Sequence, residues 1–383
     1  MKSADRVIIQ EIEKLRKDLH RHDYLYYVLA EPEISDFEYD KLYSELIRLE
    51  LVTPDSPTQR ITGQPLKEFK HVQHKIPMLS LEKVKSSDTP TKEEEPDSYR
   101  RLQLQDEKTL GELFKYDESI RKQLKLTKVS YVLEPKVDGV SISVHYRNGK
   151  LVLGATRGNG STGDDITANI KKILAIPQQL DVSDPPSLLE VRGEAYMPIK
   201  AFEKLNAQLE KAGEKIFPNP RNATAGTLKQ LDPIVVAKRP ISAVFYAVGE
   251  MDGINLKTHA ETLRALKRFN IPTQELWWEC EDIQEVIKHY RNDVVNHYHD
   301  QGDLRTKLHY EIDGIVIKVN DRSFWGKIIP KPKAPGYAIV HKPIPWIHGK
   351  PTVLKAITIQ VGRTGVLTPV AELEPIFVQG STI

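Results

Sequence analysis

Glu134, Lys136 and Asp138 stand two residues apart in "LEPKVDGVSISVHY". A lysine ordinarily keeps its proton up to about pH 10.4, and the ammonium form is no nucleophile. Attack on phosphorus or carbonyl carbon needs the free amine, which burial or a nearby cation favours. In a strand, alternation puts all three side chains on one face, and Gly139 lets a ligand or backbone approach closely. Two acids beside a lysine also describe an ordinary ion-pair cluster, and the K-x-D-G tetrapeptide by itself leaves that reading open. Five further charged clusters, four of them with glycine, follow in order on or beside expected strands: "ATRGNG", "EVRGE", "NPRNATAG", "EIDGIVIKV" and "AIVHKP".

The elements that must position these groups change character along the chain. Apolar residues recur at helical spacing from Val7 to about Leu29, and a second helix is expected from Asp36 to Glu50, opened by the Ser35/Asp36 cap signal. Together they make a small helical hairpin. Residues 52–77 are proline-bearing and aperiodic, which predicts an extended linker, and 84–98 reads as a polar surface loop. Beyond Val129 come short β-rich runs ("YVLE", "VSISVHY", "KLVLGAT", "SLLEVRGEAYM", "AVFYAVG", "DGIVIKVN"), with helices expected near 164–174, 198–212, 258–269 and 282–292. Asn148-Gly149 between two alternating runs is a strong hairpin signal. The text after Pro343 is β-rich again. The fold class is α+β.

Composition bounds the function. At 383 residues, two or three domains are expected. With 55 basic and 53 acidic residues the formal charge is +2, so any nucleic-acid site must be a local patch. The single cysteine, Cys280, permits neither an internal disulfide nor a four-thiolate zinc site and suits a reducing compartment. The charged N-terminus is neither a signal peptide nor a membrane span. A soluble cytoplasmic monomer is the expectation.

The ordered clusters resemble those of nucleotidyltransferase-superfamily ligases and capping enzymes, and most closely the NAD-dependent DNA ligases of bacteria. "YLYYVLAEPEISDFEYDKL" is similar to that family's N-terminal domain, "PMLSLEKV" to its domain junction, and "QVGRTGVLTPVAELEP" to the opening of its oligonucleotide-binding (OB) fold. The resemblance implies three parts: a helical domain over 1–77 that binds nicotinamide mononucleotide, an ATP-grasp-like adenylation domain of antiparallel sheets and helices over 78–342, and a partial OB-fold over 343–383.

The same resemblance implies that Lys136 attacks the α-phosphorus of NAD and holds AMP as a phosphoramide. Glu134 would meet adenine, Glu194 a ribose hydroxyl, and Arg157 and Lys318 the nucleotide, with Ser80 and Leu81 lining the pocket. Lys342 is similar to a late lysine acting on phosphate. Lys318 and Lys342 would offset charge in a phosphoryl-transfer transition state and depress the pKa of Lys136. Asp138 and Asp313 would position the lysine or a Mg2+ ion. Tyr26, Tyr27, Asp36, Tyr39 and Asp40 match the nicotinamide-mononucleotide site, where rings stack on the positive nicotinamide and carboxylates accept from hydroxyls; the same tyrosines could simply staple two helices. Arg221, Lys229, Arg305 and Arg363 are the candidates for nicked double-stranded DNA. No side-chain metal site is expected: "KEEE" at 92–95 reads as a solvated loop and "HYRNDVVNHYHD" as a helix with exposed histidines.

Pro135, Asn159 and Lys229 depart from the commonest family text, and "HKPIP" lacks the aromatic that usually follows the late lysine. The family's zinc module, helix-hairpin-helix repeats and BRCT domain have no counterpart, which predicts self-adenylation with slow nick sealing. Two alternatives compete: an ATP- or GTP-using nucleotidyltransferase, and a catalytically silent nucleotide- or DNA-binding module.

Overall fold

The computed structural model describes residues 3–23, 25, 33–34, 36–49, 69–84, 98–294, 304–342, 352–361, 367–375, 377–378 and 381–382. Two helices open the chain, α1 (Ser3–Asp23) and α2 (Asp36–Leu49), with Leu15, Leu19 and Leu46 buried between them. Short strands β1 (His71–Gln73) and β2 (Glu82–Lys83) precede α3 (Ser98–Leu124). Then come β3 (Tyr131–Val137), β4 (Val140–Arg147), β5 (Lys150–Thr156) and β6 (Thr162–Asp164). Helix α4 (Thr167–Ile170) leads to β7 (Leu188–Tyr196), and α5 (Ile199–Lys211), α6 (Pro220–Leu228) and α7 (Pro233–Lys238) lead to β8 (Ser242–Asp252). Helix α8 (His259–Arg268), β9 (Trp278–Cys280), α9 (Ile283–His289) and α10 (Leu304–Lys307) precede β10 (Ile312–Val319) and β11 (Ala338–His341). A hairpin of β12 (Leu354–Val361) and β13 (Leu367–Leu373) follows.

Two sheets carry the central body. One has the order β2-β11-β10-β3-β9, antiparallel except between β11 and β2; the other has the order β5-β4-β7-β8, antiparallel throughout. In the first sheet, alternation sends Tyr131, Leu133, Ile315 and Ile317 into a core closed by Leu110, Leu113 and Ile120 of α3 and by α9. The opposite face carries Val132, Glu134 and Lys136. The second sheet builds its core from Ile142, Val144, Leu189, Val191 and Phe245. Strand β3 passes from the first sheet into β4 of the second through Asp138 and Gly139. A Cβ at Gly139 would stand 2.3 Å from the Ala195 carbonyl oxygen, so this glycine is required by a close backbone approach.

Several boundaries differ from expectation for physical reasons. The helix expected over 164–174 reduces to α4, because Thr167 accepts from the Gly154 N–H and Ile170 packs where a Gly154 Cβ would lie; tight turns follow. "NPRNATAG" is helical α6, started by Pro220 at its first turn and by the Asn219 side chain accepting from Asn222 N at 2.8 Å. Helix α3 has no expected counterpart; among its described side chains the buried apolar stripe is Leu110, Leu113 and Ile120. Over 282–292, α9 ends at His289 and one π-helical turn, Tyr290–Val294, continues it. Asn148 and Gly149, with φ of 46° and 76°, form the hairpin turn between β4 and β5. Most of the expected linker, and residues 85–97 with "KEEE", lie outside the described residues; β1, within the linker range, pairs with β6.

Candidate active site

Each of the three alternating residues meets an oppositely charged partner delivered by another element. Glu134, only 1% exposed, pairs with Lys318 of β10 at 3.0 and 3.2 Å. Lys136 Nζ stands 3.3 Å from Asp313 Oδ1. Just past the end of β3, Asp138 accepts from Arg221 of α6 at 2.7 Å. A fourth charge completes the row: Lys342, following β11, approaches Asp313 Oδ2 at 2.8 Å.

Asp313 reaches this position through a break in strand register. The pairing of β10 with β3 shifts between Ile312 and Ile315, a bulge that holds Asp313 and Gly314. Gly314 has φ of +143°, and a Cβ there would come within 2.6 Å of the His341 carbonyl oxygen. Both D-G pairs thus serve chain geometry as well as charge placement. Burial alone would raise the Asp313 pKa, but Lys136 and Lys342 outweigh it and hold the carboxyl below its usual range.

Glu194, on β7 opposite Ser141, lies across the junction. Its Oε1 accepts from Ser141 Oγ at 2.7 Å and from the Tyr246 hydroxyl at 3.0 Å, while its buried Oε2 has no hydrogen-bond partner among the described residues. Burial pushes its pKa up, more than Ser141, Lys136 and Arg221 pull it down. Tyr246 also sits beneath Lys318, whose Nζ is 4.9 Å from the ring centroid. The segment leading to Ser80 and Leu81 is tied alongside: His74 donates to the Thr156 carbonyl at 3.0 Å, Met78 N to Gly160 O at 2.8 Å and Ser80 N to Lys333 O at 2.9 Å. Arg157 follows β5 in this strapped turn, its N–H donating to Ser141 O at 3.2 Å.

The other expected site residues are dispersed. Tyr39 donates to Asp23 Oδ1 at 2.7 Å and so joins α2 to the end of α1. Asp36 and Asp40 lie on α2, where only their backbone is described; Tyr26, Tyr27 and Arg363 lie outside the described residues. Helix α2 touches the body through Tyr43, whose hydroxyl accepts from Lys333 and whose ring centroid is 4.6 Å from Lys333 Nζ. Arg221 belongs to the Asp138 cluster. Lys229 caps α6, half-buried, and burial pushes its pKa down to about 8. Arg305 is half-buried on α10. Among the described residues no group of three or more His, Cys, Asp or Glu gathers as a metal cage, and no helix is long and apolar enough to cross a membrane.

Sequence reasoning missed Ser141, Tyr246 and His259. Alternation in "AVFYAVG" was the available signal for Tyr246: Phe245 enters the core, so its neighbour faces the other way. Nothing local marks His259, which a helix start brings to Glu134.

Two sheets, antiparallel but for one edge pair, thus meet at a lysine framed by carboxylates in an α+β fold. Residues 92–345 match the NAD-dependent DNA ligase adenylation domain, residues 5–62 the DNA ligase-like N-terminal NAD+-binding domain, and residues 351–383 the NAD-dependent DNA ligase OB-fold domain. The chain belongs to the NAD-dependent DNA ligase family. It is 44% identical to a DNA ligase of Methylacidiphilum infernorum over 100% of this chain and 52% of the relative. It is also 44% identical to one of Carboxydothermus hydrogenoformans (98% of this chain, 52% of the relative) and 41% identical to one of Thermotoga neapolitana (100% and 51%). The chain therefore spans about half the length of the curated relatives it matches.

Proposed function

We propose that this chain transfers AMP from NAD to Lys136, and that the AMP so held is destined for the 5′-phosphate of a DNA nick. The observation that carries the reading is the seat of Lys136: one strand face, flanked by Asp313 and Lys342, across from a Glu194 whose Oε2 is unpartnered among the described residues. In the reaction the Lys136 nitrogen attacks the α-phosphorus. A P–N bond forms, the P–O bond to nicotinamide mononucleotide breaks, and that phosphate leaves with the bonding pair. The ammonium sheds two protons overall, one before attack and one from the attacking nitrogen. Asp313, beside Nζ, is the carboxylate placed to stabilise the ammonium until then and to receive a proton. Lys342 supplies positive charge beside the phosphate.

The residues present fit the substrate. Glu194 Oε2 is an acceptor suited to a ribose hydroxyl, Glu134 offers an acceptor for a base with Lys318 held beside it, and Arg157 lies in the strapped turn nearby. The helical hairpin, with Tyr26, Tyr27, Asp36, Tyr39 and Asp40, is assigned to the nicotinamide half. Mg2+ fits as an ion entering with the phosphates, held by few protein oxygens. Asp138 and Asp313 are already engaged by Arg221 and Lys342, so the phosphates would supply most of its ligands. When bound, the ion would neutralise phosphate charge.

Nick sealing belongs to the same reading: AMP passes to the 5′-phosphate, and the 3′-hydroxyl then displaces it. Arg305, Lys229 and Arg363 are the cations assigned to DNA. The domain limits 1–77, 78–342 and 343–383 serve as its working boundaries.

The test is donor choice. Purified protein is incubated with NAD or ATP, each labelled in the adenylate. Covalent label from NAD and none from ATP is expected; label from ATP alone would overturn the reading.

A further inference from the structure

His259 is wholly buried and lies against the Glu134–Lys318 pair, a contact no sequence signal anticipates. The fold delivers it deliberately. Thr258 caps α8 with Glu261 in a reciprocal capping box, His259 N donates to Asn320 O at 2.7 Å, and Ala260 N donates to Asn320 Oδ1 at 3.0 Å. Asn320 directly follows β10, so the strand that carries Lys318 also sets the helix start.

The protonation pattern follows from counting donors. Lys318 Nζ has three hydrogens and meets three acceptors: Glu134 Oε1 at 3.2 Å, Glu134 Oε2 at 3.0 Å and the Tyr246 carbonyl at 3.2 Å. Its 3.1 Å approach to His259 Nε2 is therefore an additional electrostatic contact. Glu134 is an acceptor only, since Lys318 and His259 hold its carboxyl ionised against the effect of burial. Burial, followed by Lys318, keeps His259 neutral. A neutral imidazole facing a carboxylate through Nε2 must carry its one hydrogen there. Nδ1 keeps the lone pair and is buried with no partner among the described residues, an arrangement that costs stability and is imposed by the contact at Nε2.

Resting on the reading that Glu134 and Lys318 face the base, we propose that His259 is a positioning residue for nucleobase selection, its Nε2–H fixing Glu134 so that the site accepts a purine with a 6-amino group over one with a 6-oxo group. A carboxylate offers about four acceptor positions. Lys318 takes two and His259 one, which leaves one for an exocyclic amino donor. A 6-oxo base would instead set oxygen against carboxylate, and sites built on a specific hydrogen bond reject such analogues strongly.

The experiment compares self-adenylation from NAD with transfer of IMP from nicotinamide hypoxanthine dinucleotide, in wild type, His259→Gln and His259→Leu. Glutamine keeps a neutral donor; leucine keeps volume alone. The expected result is that leucine raises KM for NAD about tenfold and lowers the NAD preference at least tenfold, with glutamine near wild type. Unchanged preference in folded His259→Leu overturns the proposal. If that variant does not fold, the wild type is titrated with AMP and IMP while its 15N-histidine spectrum is followed, the His259 resonance being identified by its loss in His259→Gln. An Nε2–H tautomer that shifts with AMP more than with IMP supports the proposal, and an Nδ1–H tautomer overturns it. These spectra score the proposal even if wild type takes no AMP from NAD, the result that would sink the underlying function.

Discussion

Lys136 Nζ stands 3.3 Å from Asp313 Oδ1 as an ion pair whose geometry is not that of a hydrogen bond, while Oδ2 of the same carboxylate lies 2.8 Å from Lys342. Asp313 thus grips the late lysine and leaves the strand lysine loosely held. One carboxylate therefore joins the two lysines, Lys136 by charge and Lys342 by a close contact.

Asp313→Asn should slow self-adenylation about 100-fold, the scale on which small misplacements of a reacting group are felt. It should also alter acid stability. Because the folded-state pKa is lowered, Asp313 contributes stability that is present above its unfolded value of about 3.9 and lost as pH falls through the lower folded value. Urea melts across the acid range should therefore show a shallower acid loss in the variant. Wild-type labelling rates would show that Asp313 does not govern Lys136.

Glu194→Gln should separate stability from activity. Burial raises the folded-state pKa, so Glu194 contributes stability that is present below its unfolded value of about 4.3 and lost as pH rises through the folded one. Removing the charge should make the protein as stable as wild type or more so at neutral pH, while KM for NAD rises. Thermal melts with NAD titrations check both, and an unaltered KM would remove Glu194 from the nucleotide site.

Arg221→Ala tests a residue that sequence reasoning gave to DNA. Its hydrogen bond to Asp138 is charge-assisted, a class worth about 1.5–3 kcal/mol. Losing it should slow labelling by NAD with no DNA in the reaction. A defect confined to sealing of a nicked duplex would restore the DNA assignment.

Asp36→Ala should weaken labelling by NAD while sparing discharge of the AMP-enzyme by pyrophosphate, since only the first reaction uses the nicotinamide half. Equal loss of both would make α2 a folding element.

Much of this was legible in the sequence because β-alternation is short-range. Glu134 and Lys136 share a face of β3, as spacing required, with Asp138 just past the strand's end, and Asn148-Gly149 turns as its dipeptide dictates. The partners were less legible. Arg221 meets Asp138 across 83 positions and His259 meets Glu134 across 125, distances at which no local pattern speaks. The break at Asp313–Gly314 was equally hidden, since a bulge is a property of two paired strands.

The central claim is that Lys136 is the nucleophile, and peptide mapping after incubation with NAD and Mg2+ tests it most directly. Wild type should gain one AMP, located on the peptide containing Lys136. Folded Lys136→Ala should gain none, and Lys136→Arg should also fail because a guanidinium stays protonated. Adenylate on any other residue, or undiminished labelling of folded Lys136→Ala, would contradict the account.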